Sequence, residues 1–298
     1  MGKMYEALQK VEREKFGEPT DKTLKTTPDE LVLDDKLVSF FAPSSMVAEQ
    51  FRRLRAQIIK PGLNHTPKTI LVTSTMAGEG KSLIAINLAI TIAIDLHSHA
   101  LLVDCDLRNP TLSRFFGLQS ERGLSDYLLG EEDISDLLIK TSVDKLTILS
   151  GGNSQENPVE LIGSNRMKAF VQDMTSRYDD RYIILDSSPL LATTEPSLLG
   201  EMVDGIILVV KSGETPRESI QQALKLVKKE KILGVVLNST EFKTQALIQR
   251  YFGTNRYYYD YHYNRKNPEP TSWEKVKAAA GDLKAMLGRL APRKRQDH

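Results

Sequence analysis

The chain has 298 residues, 40% of them hydrophobic, enough for one large buried core with tails or for two small ones. Its 40 Lys and Arg against 39 Asp and Glu leave a formal charge of +1, which argues against a dedicated nucleic-acid binder. The single cysteine, Cys105, excludes an intrachain disulfide and fits a reducing cytosol.

The opening "MGKMYEALQK" carries charge but no apolar stretch of the kind a secretory signal needs. Glu6 stands where a myristoylation signal requires Ser or Thr. Residues 4–15 read as a short amphipathic helix with Met4, Tyr5, Leu8 and Val11 on one side. Residues 17–43, rich in Pro, Thr, Asp and Lys, read as a linker whose apolar island, "LVLDDKLVSFF", docks locally. Residues 44–59 read as a helix with Ser44 or Ser45 as candidate N-cap and Pro61-Gly62 as the stop.

From residue 68 the texture changes. "TILVTST", "ALLVDCD", "LTILSGG", "YIILDSS", "GIILVVK" and "ILGVVLN" are short runs apolar enough to be buried on both faces, as in a parallel sheet. Helices are expected at 81–96, about 158–177, 194–203 and 216–229. Strand and helix alternation predicts an α/β domain over 44–240, with a mostly parallel sheet flanked by helices. The longest apolar run, residues 82–96, is too short to span a bilayer and follows a glycine-bearing turn, so the expectation is a soluble protein. A tyrosine-rich tail follows at 241–268. Residues 269–298 read as an amphipathic helix with Trp273, Val276, Leu283, Met286, Leu287 and Leu290, then a basic end.

"ILVTSTMAGEGKSLIAINLA" is a strand, a turn and a helix. Gly78 and Gly80 let backbone amides turn onto a polyphosphate, Lys81 reaches the terminal phosphates, and the Ser82 hydroxyl suits Mg²⁺. The helix beginning at Lys81 directs its positive end at the same anion. The strict phosphate-loop pattern asks for glycine where this chain has Thr75. Two further runs end in acids: "ALLVDCDLRNP" and "YIILDSSP" carry Asp104, Asp106 and Asp186 to strand ends. The C-terminal strand ends of a parallel sheet line its ligand crevice. One such aspartate is ordinarily a turn residue or helix cap; three beside a phosphate loop point to a metal-holding set. Cys105, between two of them, reads as a small buried residue.

"RYYYDYHYNRK" at 256–266 holds five of the ten tyrosines: Tyr257, Tyr258, Tyr259, Tyr261 and Tyr263. Their crowding among Asp, His, Asn and Arg fits neither core period, so most must face water.

These motifs together resemble the bacterial tyrosine kinases of capsule and exopolysaccharide synthesis, whose P-loop is of the septum-site and partition ATPase class. "AGEGKS" is similar to their Walker A, "LLVDCDLR" to their second motif, and "IILDSSP" to their Walker B. "EQFRRLR" matches their E-x-x-R-x-x-R helix through Glu49, Arg52 and Arg55. Met76 replaces the signature lysine of the partition ATPases. The resemblance implies ATP bound by Ala77, Gly78, Glu79, Gly80, Lys81, Ser82 and Leu83, with Mg²⁺ held by Ser82, Asp106 and Asp186. It makes Asp104 the group that takes the phenol proton or orients the phenol hydroxyl, and makes the five clustered tyrosines phosphate acceptors. Glu49, Arg52 and Arg55 become contacts of a ring-like homo-oligomer that phosphorylates in trans. Arg108 either orients Asp104 or offsets developing charge. Asn238 either contacts the base or makes only backbone bonds. The family's soluble members depend on a membrane-bound activator, a polysaccharide co-polymerase, so a cytoplasmic protein recruited to the inner membrane face is expected.

The chain departs from that pattern by continuing past the tyrosines. That C-terminal helix either docks on a partner, lies on an anionic membrane surface, or covers an apolar patch. Two rival readings stand beside the kinase: a non-kinase P-loop ATPase acting in positioning or assembly, and a scaffold that binds nucleotide without turnover. The histidines offer no metal-ligand spacing beyond His97 and His99, which read as a helix end.

Overall fold

The computed structural model describes residues 34–59, 66–118, 121–177 and 180–240. The helix expected at 4–15, the Pro61-Gly62 stop, the tyrosine cluster and the C-terminal helix lie outside the described residues.

Seven strands form one sheet: β1 (Thr69–Ser74), β2 (His99–Asp104), β3 (Leu138–Lys140), β4 (Leu146–Leu149), β5 (Arg181–Asp186), β6 (Gly205–Lys211) and β7 (Ile232–Asn238), in the order β3-β4-β2-β5-β1-β6-β7. Every pairing is parallel except the antiparallel β3–β4 edge. His99 therefore opens a strand rather than closing a helix. All residues of β1 and β5 are buried, because helices cover both faces. The two-residue strand period divides the core accordingly. Leu71, Leu101, Val103, Ile183 and Leu185 pack on one side with Phe170 and Leu199. Ile70, Val72, Leu102 and Ile184 pack on the other with Ile86, Leu88 and Ile90.

Helices α1 (Val38–Phe41) and α2 (Met46–Ile58) precede the sheet, and α3 (Lys81–Ala93) fills the β1–β2 crossover. Ser45 is the N-cap of α2, its hydroxyl accepting the Ala48 amide at 3.1 Å. The linker segment from residue 34 does dock, and the reason is polar as well as apolar. Leu37 is fully buried, and Asn87, inside α3, accepts the Ser39 amide at 2.9 Å while donating to the Lys36 carbonyl at 3.2 Å. Thr91, one turn on, donates to the Ser39 hydroxyl at 3.0 Å. Asn87→Ala strands these buried partners. It is expected to cost about 2–3 kcal/mol in urea unfolding and to make residues 34–43 the first target of limited proteolysis.

Between β2 and β5 the chain is more broken than its sequence suggested. Three short helices, α4 (Leu112–Phe115), α5 (Leu124–Leu129) and α6 (Ile134–Leu137), follow β2. The helix expected at 158–177 is two, α7 (Pro158–Ile162) and α8 (Asn165–Arg177). Gly163 and Ser164 make the break, with the Ser164 hydroxyl accepting the Met167 amide at 3.1 Å. Helix α9 (Glu195–Met202) lies where expected, but α10 (Arg217–Ala223) stops short of 229 and gives way to turns and a 3₁₀ turn at Lys229–Lys231. β7 also departs from expectation: as an edge strand it is covered on one face only, leaving Leu233, Val235 and Leu237 exposed by 41%, 51% and 55%. Among the described residues no helix is long and apolar enough to cross a membrane.

Candidate active site

The topology delivers the ends of β1, β5 and β2 side by side. Asp104 and Asp186 are register partners on adjacent strands, and Val72, two residues before the end of β1, pairs with Asp186. The phosphate loop leaves β1 at this edge. Gly78 and Gly80 take φ of +79° and +91°, the left-handed region that glycine adopts without strain. At Gly80 a Cβ would also lie 2.2 Å from the Asn238 side-chain nitrogen. Thr75 needs no such freedom, since its φ is not positive, which explains how threonine stands where the strict pattern has glycine.

The loop is braced from its own strand and from the far side of the sheet. The Ser74 hydroxyl donates to the Met76 carbonyl at 2.7 Å. The Glu79 carboxylate, nearly fully buried, accepts the Met76 amide at 2.9 Å and the Thr215 hydroxyl. Asn238, at the end of β7, donates its amide to the Glu79 carbonyl at 2.8 Å. The side chains of Glu79 and Asn238 thus hold the loop in shape, and Asn238 makes the backbone bond that was one of its two readings.

Lys81, the first residue of α3, sits among the acids, its Nζ 3.0 Å from Asp106 and 3.5 Å from the Ser82 hydroxyl. Burial works against its charge, but attraction to Asp186, Asp106 and Asp104 outweighs this and raises its pKa above the ordinary lysine value. Asp104 is fully buried and accepts three backbone amides, from Asp106 at 3.2 Å, Thr111 at 2.9 Å and Leu112 at 3.0 Å. Burial and then the neighbouring Asp186 charge push its pKa up to about 7 against the pull of those amides. Asp186 is also fully buried. Burial raises its pKa to about 6, with Lys81 holding it back. Neither of its oxygens accepts a hydrogen bond of ordinary geometry, although Ser82 and the Ser187 amide are near. Cys105 is buried in the core beneath, its thiol raised well above the ordinary value by burial.

A buried carboxylate with no well-formed hydrogen bond, beside a second one and a lysine, asks for a cation. Ser82, Asp106 and Asp186 are the hard oxygen donors that Mg²⁺ prefers, completed in such sites by water and phosphate oxygens. Among the described residues no three His, Cys, Asp or Glu side chains form a dedicated cage.

Arg108 neither touches Asp104 nor stands free. Its Nε donates to Glu195 at 2.8 Å, and Glu195, at the first turn of α9, is 1% exposed with its second oxygen unpartnered. Sequence reading missed Glu195, since nothing local to "TTEPS" announces a partner 87 residues upstream. The α2 residues lie apart from this cluster's hydrogen bonds. Arg52 pairs with Glu49 at 2.6 Å and donates to the Pro43 carbonyl, while Arg55 turns onto the end of α3, at Asp95 (3.4 Å) and the Thr91 carbonyl (2.9 Å).

Comparison with known proteins agrees with this geometry. The profile of the ParA family, described as "NUBPL iron-transfer P-loop NTPase", matches residues 65–257. Iron–sulfur cargo is held by cysteine thiolates, and here the one cysteine is buried, so the shared part is the nucleotide fold. Tyrosine-protein kinase YwqD of Bacillus subtilis (strain 168) is 32% identical over 220 residues, 73% of this chain and 91% of the relative. Tyrosine-protein kinase CpsD of Streptococcus agalactiae serotype III is 29% identical over 210 residues, 70% of this chain and 87% of the relative. The crystal structure of the chimerical protein CapA2B2 superposes with a TM-score of 0.64 at 30% identity, covering 68% of this chain and 89% of that one. With a phosphate loop, strand-end acids and a mostly parallel sheet in common, the chain belongs to the bacterial tyrosine-protein kinases, enzymes built on the ParA-type P-loop NTPase fold.

Proposed function

We propose that the protein is an ATP- and Mg²⁺-dependent autokinase that phosphorylates Tyr257, Tyr258, Tyr259, Tyr261 and Tyr263 in trans within a ring-like homo-oligomer. The observation that carries this reading is the buried Asp186 carboxylate, whose oxygens accept no hydrogen bond of ordinary geometry, next to Asp104 and the Lys81–Asp106 pair. Phosphoryl transfer is chiefly positioning and charge neutralisation, which the phosphate loop and the Lys81–acid cluster would supply.

Backbone amides of residues 77–83 surround the triphosphate, shaped by Glu79 and Asn238. Lys81 exchanges Asp106 for the β- and γ-phosphates. Ser82, Asp106 and Asp186 would hold Mg²⁺, which when bound would add positive charge at those oxygens. The phenol oxygen then bonds to the γ-phosphorus as the bond to the β-phosphate bridge breaks, ADP leaves, and the phenol proton passes to Asp104. A carboxyl near pH 7 in affinity suits that exchange at neutral pH. The backbone amides on Asp104 fix where it stands, and Arg108, held by Glu195, offsets charge at the rim.

Oligomer contacts fall to Glu49 and Arg52, whose helix face is partly exposed, with Arg55 securing α2 to α3. Each phosphotyrosine adds nearly two negative charges, so a phosphorylated tail loosens the ring. The cellular task that fits is control of capsule or exopolysaccharide synthesis or export. A membrane-bound co-polymerase would then serve as activator and recruit the protein to the cytoplasmic face of the membrane. The domain plan that goes with this is a docking helix and linker at 1–43, the kinase domain at 44–240, the acceptor tail at 241–268 and an accessory helix at 269–298.

Incubation with γ-labelled ATP and Mg²⁺ tests the reading. Label is expected on protein tyrosine, and gel filtration should show the unphosphorylated chain as a larger assembly than the phosphorylated one. Release of free phosphate with no protein label would instead identify a non-kinase ATPase.

A further inference from the structure

An open groove of about 600 Å³ lies away from the phosphate loop, on the α5 and α7 side of the same sheet edge. Leu129 and Leu161 are its apolar lining, Glu156 and Glu160 its acids, and Ser154 and Gln155 its near wall. That wall is bonded to the loop carrying the second aspartate motif. The Gln155 amide donates to the Leu107 carbonyl at 2.8 Å, and the Ser154 hydroxyl donates to the Arg108 carbonyl. The groove is therefore fixed relative to Asp104, Asp106 and Arg108 rather than carried on an independent loop. Leu129 is 52% exposed, a large apolar side chain left open to water. Glu156 and Glu160 are exposed too, and neither has an ion-pair partner among the described residues.

The tail has the complementary charge. Residues 241–268 contain Lys243, Arg250, Arg256, Arg265 and Lys266 against only Glu241 and Asp260. Arg256 precedes the tyrosine cluster, and Arg265 and Lys266 follow it. We propose that this groove docks the basic residues flanking the tyrosine cluster of a second copy of the chain, and that it thereby selects Tyr261 as the first acceptor. The proposal rests on the trans-autokinase reading and adds the docking surface and the order of modification.

The selection follows from spacing. The groove's near wall belongs to the segment that follows β4, which ends at Leu149, and the phosphate loop follows β1, three strand positions from β4 in the order β4-β2-β5-β1. Three steps at about 4.8 Å each make roughly 14 Å, which an extended chain covers in about four residues. Tyr261 has Arg265 four residues after it and Arg256 five residues before it. Tyr257, Tyr258 and Tyr259 sit within three residues of Arg256 and at least six from Arg265, and Tyr263 is two from Arg265 and seven from Arg256. With Lys266 counted as well, three residues from Tyr263 and five from Tyr261, Tyr261 is the one tyrosine of the cluster that has a basic residue four or five positions away on both sides, so it best matches that span whichever direction the peptide runs.

The test pairs a full-length donor with an isotopically heavy full-length acceptor carrying Lys81→Met, in Mg²⁺ and ATP, and follows each acceptor tyrosine by mass spectrometry at early times. The wild-type donor is expected to modify Tyr261 first. A donor with Glu156→Lys and Glu160→Lys should transfer about tenfold more slowly with unchanged nucleotide affinity. An acceptor with Arg256→Glu, Arg265→Glu and Lys266→Glu should restore transfer by that donor. Equal rates and the same first site with the charge-reversed donor, or no restoration by the reversed acceptor, would overturn the groove while leaving the trans kinase intact. A wild-type donor that labels no acceptor tyrosine would overturn the trans reading, and the groove with it.

Discussion

Lys81→Met is expected to lower tyrosine phosphorylation at least about a thousandfold, the scale on which preorganised charge at a transferring phosphoryl group acts. Methionine keeps much of the apolar stem and removes only the ammonium. The loss falls on a site where that ammonium has two duties. Without nucleotide it compensates Asp106 directly at 3.0 Å and attracts Asp186 and Asp104. With nucleotide it faces the phosphates. Removing it leaves three crowded carboxylates, so Asp104 and Asp186 should hold their protons more tightly still. Quantitative labelling with γ-labelled ATP checks the rate, and circular dichroism checks that the fold persists. A variant retaining a tenth of wild-type labelling would remove Lys81 from the reaction.

The second large effect is on stability and runs against habit for carboxylates. Burial pushes the Asp104 carboxyl up to about 7 and that of Asp186 up to about 6 in the folded chain, above the ordinary aspartate value of 3.8 that applies when it is unfolded. Between those limits the folded chain holds protons that the unfolded chain has released. Their contribution is complete below about pH 4 and disappears as pH rises through 6 and 7. Between pH 5 and pH 8 the loss for the two together is about 4 kcal/mol. The nucleotide-free protein should therefore melt on the order of 10 °C lower at pH 8 than at pH 5. Asp104→Asn should flatten this dependence, although its amide loses part of the bonding to Asp106, Thr111 and Leu112. Scanning calorimetry of both forms in the absence of Mg²⁺ measures it. A wild-type melting point that rises from pH 5 to pH 8 would mean that these carboxylates are ionised and compensated in the free protein.

What the sequence revealed and what it hid divide along a physical line. Phosphate-loop chemistry is local: glycines, lysine and serine act at fixed offsets where a strand becomes a helix, so residues 78–82 were legible by themselves. Asp104 and Asp186 were legible because a parallel sheet brings strand ends together whatever else the fold does. Hydrophobic pattern reports burial but not partners. Hence the Arg108–Glu195 pair and the grip of Thr215 and Asn238 on Glu79, all made between residues distant in the chain, left no trace in spacing. The same pattern failed at β7, whose leucine-rich run resembles a central strand although its place at the sheet edge exposes Leu233, Val235 and Leu237. Strand β3, three residues long, is below the length at which alternation can be read. Arg55 illustrates a third limit: its spacing with Glu49 and Arg52 suggests one shared face, yet its long side chain reaches back to Asp95 and Thr91.

All of this depends on Lys81 and the three aspartates acting together as a receptor for a metal-bound triphosphate. A crystal structure of the full chain with Mg²⁺ and a non-hydrolysable ATP analogue tests that most directly. The account predicts the metal on the Ser82 hydroxyl with Asp106 and Asp186 in its shell, Lys81 moved from Asp106 to the terminal phosphates, and Asp104 facing the γ-phosphate. A nucleotide bound elsewhere, or bound with Lys81 still on Asp106 and no metal near Asp186, would contradict it.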